Sequence, residues 1–474
     1  MSENRFRVSI IGGGITGLTA AFYLQKEIQE KALPIEFQLI ESSDRLGGKI
    51  ETYYRDGFVI ERGPDSFLER KASAAQLATD VGLRGELVHN NAGQAYILQN
   101  DRLLPIPEGA VMGIPTRLAP FAFTSLISPA GKLRAAADLV LPRTSSEEDE
   151  SVGHFFRRRL GDEVIENLIE PLLSGVYAGN IDNLSLMSTF PQFAQLEKKY
   201  RSLILAMKNT RQEPKVPGKP QGIFLTLKSG LQSLVERIER LLPKQSIIKG
   251  ASLQRVEKTT DGYLLHLSNG QVIDTHAVIM TLPHRITQKI LSSVIDVGTI
   301  SHTVPTSVAT VALAFANKAV QLKQEGTGFV VPRRMDYTIT ACTWTHKKWP
   351  HTTPEGKALL RCYVGRAGND AIVDQSDEEM IRIVLKDLKR IIAISDDPEF
   401  FCITRLKNSM PQYEVGHRQR LNQVLERMET HFPGVFLAGA SYAGIGLPDC
   451  MDQGKKAVAD VIAHVMDKSK VLQL

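Results

Sequence analysis

The sequence predicts an α/β fold in which a discontinuous, Rossmann-like nucleotide-binding domain is joined to a mixed α+β domain and a mainly helical subdomain. Three observations predict it. A glycine-rich turn follows an apolar run at the start of the chain, strand-like runs return after residues 222 and 403, and segment 105–195 has mostly helical character. A chain of 474 residues also exceeds one hydrophobic core, so two or three domains are expected.

The first element is a strand, a glycine turn and a helix. The strand ends at Ile11, and the turn carries the pattern GxGxxG with glycines at 12, 14 and 17. In a dinucleotide site the first glycine forms the tight turn, the second admits a pyrophosphate, and the third lets helix and strand pack closely. Glu41 ends the second strand, where a ribose-binding acid is expected. The alternative is a glycine turn that only packs a βαβ unit.

A second glycine pair indicates which nucleotide is bound. Gly47 and Gly48 lie between Arg45 and Lys49, and a Gly-Pro turn follows at Gly63. A nicotinamide site does not need this second loop, whereas the longer FAD molecule does. We therefore expect FAD, with Arg45 and Lys49 as counter-charges for its phosphates.

Three longer segments carry a resemblance to a known family. They are ERGPDSFLERK (61–71), NLIEPLLSGVYAGNIDNLSLMSTFP (167–191) and GIGLPDCMDQGK (444–455). With the glycine turns, they resemble the FAD-containing amine oxidase superfamily, and within it the bacterial, Bacillus-type oxygen-dependent protoporphyrinogen and coproporphyrinogen III oxidases.

The resemblance implies a flavin enzyme of heme biosynthesis with one non-covalent FAD per chain. The expected reaction is the six-electron oxidation of coproporphyrinogen III to coproporphyrin III, with oxygen as acceptor and release of peroxide. Protoporphyrinogen IX would be accepted as well, or would be the main substrate in the alternative reading. An amine oxidase and a non-catalytic carrier on the same fold are further alternatives. The missing aromatic pair argues against the first and the intact glycine loops against the second.

The expected site has no dedicated catalytic side chain, because the substrate's own nitrogen lone pairs can expel a hydride towards the flavin. No metal site is expected. Substrate contacts are expected from Arg70, Lys71, Val176 and Tyr177. The expected cofactor contacts are Gly12, Gly13, Gly14, Ile15, Thr16, Gly17, Glu41, Ser42, Arg45, Gly48, Lys49, Gly63, Pro64, Asp65, Ser66, Val256, Gly439, Ile445, Gly446 and Leu447.

Two positions depart from the family pattern. Many relatives have an acid where this chain has Ala440, so the backbone amide would have to replace it. Cys450 lies too far along its turn for covalent attachment of the flavin. A third group, His346 to Trp349, is predicted to be a solvated loop, with an anion-binding rim as the alternative.

The predicted domains are discontinuous. We assign 1–66, 222–289 and 403–474 to the FAD-binding domain, 67–104, 196–221 and 290–402 to the substrate domain, and 105–195 to the helical subdomain. Helix 451–466 is expected near the flavin, and residues 144–150 and 212–221 are expected to be exposed connections.

Composition is that of an ordinary globular protein. A net charge of +5 gives no indication of nucleic acid, and four dispersed cysteines suit a reducing cytoplasm. No signal peptide is expected, because the chain enters its first strand directly. The uncharged run Leu118–Gly131 is too short to span a bilayer, so it is expected to be buried or substrate-lining, with peripheral membrane contact as the alternative. Monomer and dimer both remain open.

Overall fold

The computed structural model describes residues 5–115, 117–145, 148–209, 221–292 and 294–472. The predicted connection at 212–221 lies outside these ranges except for Gln221, and two residues of the predicted loop 144–150 do as well. The described strands are β1 (Phe6–Ile11), β2 (Ile35–Ile40), β3 (Thr52–Arg55), β4 (Phe58–Glu61), β5 (Phe67–Leu68), β6 (Leu87–Asn91), β7 (Ala95–Gln99), β8 (Arg102–Pro105), β9 (Ala110–Val111), β10 (Ile114–Pro115), β11 (Gln221–Leu227), β12 (Ile247–Ile248), β13 (Leu253–Lys258), β14 (Tyr263–Leu267), β15 (Val272–Thr275), β16 (Ala277–Met280), β17 (Thr306–Ala316), β18 (Val320–Gln321), β19 (Gly328–Val330), β20 (Ile339–Trp344), β21 (Lys357–Val364), β22 (Ala393–Ile394), β23 (Phe400–Met410) and β24 (Val435–Leu437).

The described α-helices are α1 (Ile15–Lys31), α2 (Ala72–Asp80), α3 (Leu118–Phe123), α4 (Pro129–Ala136), α5 (Val152–Leu160), α6 (Asp162–Val164), α7 (Glu170–Tyr177), α8 (Leu186–Thr189), α9 (Pro191–Tyr200), α10 (Leu203–Asn209), α11 (Gln232–Leu241), α12 (His284–Leu291), α13 (Thr345–Lys348), α14 (Asp377–Ile391), α15 (His417–His431) and α16 (Leu447–Leu472).

A five-stranded sheet carries the nucleotide-binding half of the molecule. Its order is β12-β2-β1-β16-β24, and all neighbouring strands run parallel. Helices α1 and α16 pack together against it, with Leu18 and Val461 fully buried. Parallel strands buried on both faces need continuous apolar runs, as these strands have. The α/β, Rossmann-like fold class is confirmed, while the domain limits stay predictions.

A seven-stranded mixed sheet forms the second large element. Its order is β23-β17-β21-β20-β19-β7-β8, and only the β19–β7 pair among its neighbours is parallel. The amphipathic helix α14 contributes Val384 and Leu388 to the core that includes Leu313 and Trp344 of this sheet. Arg361 of β21 donates to the carbonyl of Gly63, so this sheet lies against the turn that follows β4.

Helices α4 to α10 surround a separate core and a buried ionic network. Arg159 is fully buried, and its Nε donates to Asp138 Oδ1 at 2.6 Å while Nη1 donates to Glu197 Oε1 at 3.3 Å. The other oxygen of Asp138 accepts from Ser202 Oγ at 2.6 Å and from the amide of Ile204 at 3.0 Å. Every member of this network therefore has partners.

The uncharged segment Leu118–Gly131 is only partly buried. Leu126 and Ile127 are 1% and 2% exposed, whereas Phe123 at the end of α3 is 88% exposed. Within the described part of the chain, no helix is both long and apolar enough to cross a bilayer. The segment thus packs into the helical core and leaves one aromatic ring at the surface.

Helix α16 begins earlier than the sequence predicted. It starts at Leu447 instead of Met451, with Pro448 in its first turn. Proline is tolerated there because the first amides of a helix have no partner within it. The helix N-terminus therefore lies directly after the Gly444–Gly446 turn.

Candidate active site

The first glycine turn has the geometry that each of its glycines requires. Gly12 has a positive φ of +106°, and its amide donates to the carbonyl of Ile40 at 2.8 Å. A Cβ on Gly17 would lie 1.9 Å from the Gly12 carbonyl oxygen, so only glycine lets α1 pack this closely on β1. A Cβ on Gly14 would meet no atom within 4 Å. The open space at the N-terminus of α1 therefore lies at Gly14, where a phosphate would be favoured.

Glu41 is held at the end of β2 by backbone and hydroxyl donors. Its Oε2 accepts from the amide of Gly13 at 2.6 Å, and its Oε1 accepts from the amide of Ser43 at 2.8 Å and Ser42 Oγ at 3.0 Å. Burial opposes ionisation, but these hydrogen bonds outweigh it and lower the pKa of Glu41 below its ordinary value. An ionised, oriented carboxylate thus stands beside the glycine turn.

The segment that enters β13 also lies against this acid. The amide of Ala251 donates to the Glu41 carbonyl at 3.0 Å. Val256, which follows in β13, is buried and pairs with Leu265 of β14. Its expected contact with the cofactor stays a prediction.

The second glycine loop stacks directly on the first. The amide of Gly47 donates to the carbonyl of Gly13 at 2.8 Å, and a Cβ on Gly48 would lie 3.1 Å from the Cα of Gly14. Both loops therefore border the same space. Their close backbone contact explains why the sequence has glycine pairs at two separate places.

The two basic residues of this loop are engaged with backbone oxygens. Arg45 donates to the carbonyls of Gly48 at 2.7 Å and Ile50 at 3.1 Å, and Lys49 donates to the carbonyl of Ser409. Burial lowers the pKa of Lys49. Arg45 thus stabilises the loop itself, and the role of both cations as phosphate partners stays a prediction.

The Gly63 turn packs on the second loop and is fixed by buried charges. A Cβ on Gly63 would lie 1.8 Å from the Lys49 carbonyl oxygen. Arg361 donates to the carbonyl of Gly63, and Asp65 accepts from Ser66 Oγ at 2.8 Å and from Lys348 at 3.2 Å. Burial disfavours the ionised form, but Lys348 and Arg361 outweigh it and lower the pKa of Asp65. The half-buried Pro64 lies between these fixed points.

The prediction of a solvated loop at His346 to Trp349 is wrong. Lys348 pairs with Asp65 in the interior, Trp349 is 2% exposed, and the ring of His346 contacts the Leu359 carbonyl. Residues Thr345–Lys348 form the short helix α13 against β21. Lys348 thus supports the Gly63–Ser66 turn through Asp65, and tertiary contacts bury part of a segment that looks polar in isolation.

The last part of the site comes from the C-terminal region. Gly439 has a φ of +123°, and its amide donates to Gln453 Oε1 at 3.0 Å. Tyr413 donates its hydroxyl proton to the carbonyl of Ala440 at 2.6 Å and accepts from the amide of Gly444 at 2.8 Å. Tyr413 therefore holds the turn before Ile445, Gly446 and Leu447 in place. Tyr413 was not predicted as a site residue, because no sequence motif marks it.

The four predicted substrate residues differ in exposure. Arg70 is exposed, and Val176 is 45% exposed. Lys71 Nζ lies 2.5 Å from Asp449 Oδ1 and 2.7 Å from Oδ2, so it docks on the first turn of α16. Tyr177 is buried, with its ring centroid 5.8 Å from that of Tyr413. Lys71, Tyr177 and Tyr413 are thereby gathered around the Gly444 turn, while Arg70 faces solvent.

A buried acid lies just before the Gly63 turn. Glu61 accepts from the amide of Leu231 at 2.7 Å and from Thr52 Oγ1 at 3.0 Å. Burial outweighs these bonds and raises the pKa of Glu61 to about 7. The sequence marks a Gly-Pro turn at Gly63 but gives no signal that the preceding acid, Glu61, has a raised pKa.

This shift predicts a pH-dependent stability. Because Glu61 binds its proton more tightly in the folded state, the free energy of unfolding falls as pH rises from about 4.5 to about 7, by about 3 kcal/mol at most. Glu61→Gln cannot ionise, and its amide oxygen can still accept from the amide of Leu231 while its NH2 group would donate to Thr52 Oγ1. Its Tm should therefore rise relative to the unsubstituted protein between pH 5 and pH 8. Thermal unfolding across this range tests it, with the exposed Glu36→Gln as control. A Tm difference that stays constant with pH would contradict the assignment.

These elements fit FAD. Two glycine loops border open space at Gly14, an oriented carboxylate lies at the end of β2, and the Gly63 and Gly444 turns approach the same region from two other parts of the chain. Among the described residues no cluster of histidine, cysteine and acidic side chains could hold a metal ion.

Comparison with known proteins decides the family. The family described as flavin containing amine oxidoreductase matches residues 15–462. The chain belongs to this family. Coproporphyrinogen III oxidase of Bacillus subtilis (strain 168) is 54% identical over 98% of this chain and 100% of that protein. The coproporphyrinogen III oxidase of Staphylococcus aureus (strain NCTC 8325 / PS 47) is 43% identical over 97% and 99% of the two chains.

A solved structure agrees with this membership of the flavin containing amine oxidoreductases. A crystal structure of a protein from Exiguobacterium sp. 255-15, provisionally assigned as a protoporphyrinogen oxidase, is 40% identical to this chain. It covers 97% of this chain and 99% of its own, with a TM-score of 0.86. The predicted family and FAD cofactor are confirmed. The contacts of the individual residues stay predictions.

Proposed function

We propose that this flavoprotein oxidises coproporphyrinogen III to coproporphyrin III in heme biosynthesis. Six electrons would pass in three steps to oxygen, with hydrogen peroxide as the second product. The observation that carries the proposal is the 54% identity to the Bacillus subtilis coproporphyrinogen III oxidase over practically the full length of both chains. The glycine loops, and the wall that the rings of Tyr177 and Tyr413 form beside the Gly444 turn, are consistent with this proposal.

The chain's own residues would bind FAD, orient it and enclose it. The amides at the start of α1 would face the diphosphate at Gly14, and Glu41 has oxygen lone pairs left for a ribose hydroxyl. Bound FAD supplies the acceptor for a hydride from the substrate carbon. The Gly63 and Gly444 turns would hold the flavin end of the cofactor against the seven-stranded sheet.

The wall at Tyr177 and Tyr413 suits a large, mostly apolar macrocycle. Burial raises the pKa of Tyr177 and of Tyr413 well above the ordinary value for tyrosine. Both hydroxyls therefore stay protonated at neutral pH and do not act as bases. This supports a hydride transfer driven by the flavin and by the nitrogens of the substrate, in which neither tyrosine accepts the proton.

Lys71 is proposed to bind a substrate carboxylate at the rim. Its ammonium is shared with Asp449, so a substrate carboxylate would join an existing pair. Lys71→Met should raise KM for coproporphyrinogen III and lower kcat/KM about tenfold, the effect of one charge-assisted hydrogen bond. Steady-state kinetics under air measure it, with the exposed Lys26→Met on α1 as control. An unchanged KM would exclude Lys71 from substrate binding.

The substrate preference has its own experiment. Porphyrin fluorescence should appear under air with coproporphyrinogen III, and kcat/KM should be lower for protoporphyrinogen IX. A higher value for the two-carboxylate ring would make protoporphyrinogen IX the main substrate. Absence of porphyrin from either compound would overturn the proposed function.

We also propose a cytoplasmic location with peripheral membrane contact through the helical subdomain. Three large apolar side chains are strongly exposed there: Phe123 at 88%, Leu133 at 76% and Val140 at 73%. Replacing Phe123 and Leu133 with Asp should abolish cosedimentation with anionic phospholipid vesicles, while Val272→Asp, at an exposed site on β15, should not. If the unsubstituted protein, the Phe123/Leu133 double variant and Val272→Asp cosediment equally, the proposed membrane contact is wrong.

A further inference from the structure

A small internal cavity lies behind the Gly63–Ser66 turn. Its volume is about 20 Å³, and it is lined by residues of β4, β11, β17 and β21, by Asp65 and by the segment 345–352. One ordered water needs roughly 10–15 Å³ on the same measure. The cavity can therefore hold a water molecule.

Four buried polar atoms of its lining have no hydrogen-bond partner among the described residues. They are Thr345 Oγ1, Trp349 Nε1, His351 Nε2 and Arg361 Nε. Thr345 is 9% exposed, Trp349 2% and Arg361 4%. Buried polar atoms are almost always satisfied by protein or by ordered water, and four orphans around one cavity indicate a missing ligand.

The charges around the cavity favour water over an anion. Asp65 and Glu61 also line it, and a bound anion would be repelled by these carboxyl groups. Water can accept from Trp349 and Arg361 and donate to a carboxylate oxygen at the same time. Neutral water thus satisfies both kinds of lining group.

We propose that ordered water fills this cavity and links Glu61 to the Gly63–Ser66 turn, so that Glu61 holds the proton released in each oxidation step. This role rests on the proposed function. Each step removes a hydride from a bridging carbon and one proton from the substrate; over the three steps two of these protons come from pyrrole nitrogens and one from a bridging carbon. The proton breaks its bond to the substrate, forms an O–H bond on the Glu61 carboxylate by way of water, and later becomes the second proton of hydrogen peroxide, whose first proton and two electrons come from the hydride.

The surroundings of Glu61 suit a group that gains and loses a proton near neutral pH. Asp65 faces it from the turn, Arg361 from β21, His351 from the segment after α13, and Tyr54 from β3, while Lys348 lies behind Asp65. Burial raises the pKa of Glu61 to about 7, and burial lowers the pKa of His351. Glu61 is then the titrating group of this cavity at neutral pH.

Two tryptophans provide a matched test of the water. Trp349 and Trp344 are both buried, and neither Nε1 atom has a hydrogen-bond partner in the part of the chain that the structure describes, but of the two only Trp349 lines the cavity. If water binds there, Trp349→Phe loses a hydrogen bond that Trp344→Phe does not. The unfolding equilibrium constant of Trp349→Phe should therefore rise about fivefold more than that of Trp344→Phe. Equal effects, or a high-resolution crystal structure of the holoprotein without water density in the cavity, would overturn the water site.

The proton-holding role is tested by the pH profile of kcat/KM for coproporphyrinogen III. The unsubstituted enzyme should show a limb with an apparent pKa near 7, which Glu61→Gln should lack while turning over about tenfold more slowly at neutral pH. Glu36→Gln should keep the limb. If Glu61→Gln keeps it too, the proton-holding role is overturned and the proposed function stands. If no porphyrinogen is oxidised by the unsubstituted protein, the proposed function itself fails, and the tryptophan comparison still decides the water site.

Discussion

Gly17→Ala should strongly destabilise the nucleotide-binding half and abolish FAD binding. The added methyl group would lie 1.9 Å from the carbonyl oxygen of Gly12 and 3.1 Å from Thr281 Oγ1, so α1 would have to move away from β1. The Gly12 carbonyl is a backbone group, so this clash cannot be relieved by a change of side-chain rotamer. We therefore expect a loss of about 3 kcal/mol or more in the free energy of unfolding. Thermal unfolding of the apoprotein and the flavin absorbance of the purified protein measure the two effects.

Gly14→Ala is the matched control, three residues earlier in the same turn. Gly14 has a φ of −71°, which alanine adopts readily, and the new Cβ would meet no protein atom within 4 Å. Apoprotein stability should change by less than about 1 kcal/mol. The FAD affinity should fall about 10- to 100-fold, because the methyl group occupies the space proposed for the diphosphate. Normal FAD binding by Gly14→Ala would show that the diphosphate lies elsewhere.

Arg159→Ala should strongly destabilise the helical subdomain. Arg159 and Asp138 are both fully buried, and the guanidinium also donates to the carbonyls of Pro142 at 2.9 Å and Arg201 at 2.8 Å. Removing one partner of a buried ion pair leaves an uncompensated charge, which costs about 3–5 kcal/mol. Chemical denaturation followed by circular dichroism should show an earlier transition.

Arg157→Ala is the control on the same helix. Arg157 pairs with Asp162 at 3.1 Å and with Asp182, but its side chain is 35% exposed. An exposed pair is worth about 1 kcal/mol or less, so this variant should unfold close to the unsubstituted protein. Similar losses in both variants would mean that the buried network does not govern the stability of the subdomain.

The features that could be predicted from the sequence are those set by residues close together in the chain. Gly12 and Gly17 are five positions apart, and their roles follow from backbone geometry that any strand–turn–helix unit must satisfy. The same holds for Glu41 at the end of β2. The flavin family could be recognised from the sequence because its motifs are long and specific.

The sequence could not show contacts between distant parts of the chain. Lys71 and Asp449 are 378 residues apart, and Asp65 and Lys348 are 283 apart. Nothing near Tyr413 in the sequence indicates that its hydroxyl holds the Gly444 turn. The burial of Lys348 and Trp349 was likewise not predictable from nearby residues, because it results from packing against β21. Long-range tertiary contacts therefore account for most of what the sequence analysis missed.

The five-stranded sheet sets the order in which a working molecule can be made. Its central strand β1 starts at Phe6, but its edge strand β24 ends at Leu437 and the helix that packs on α1 extends to Leu472. At a synthesis rate of about 5–20 residues per second, the first glycine turn waits on the order of half a minute for these partners. A chain that lacks β24 and α16 is therefore expected to leave β16 and α1 without their packing partners and to bind no FAD.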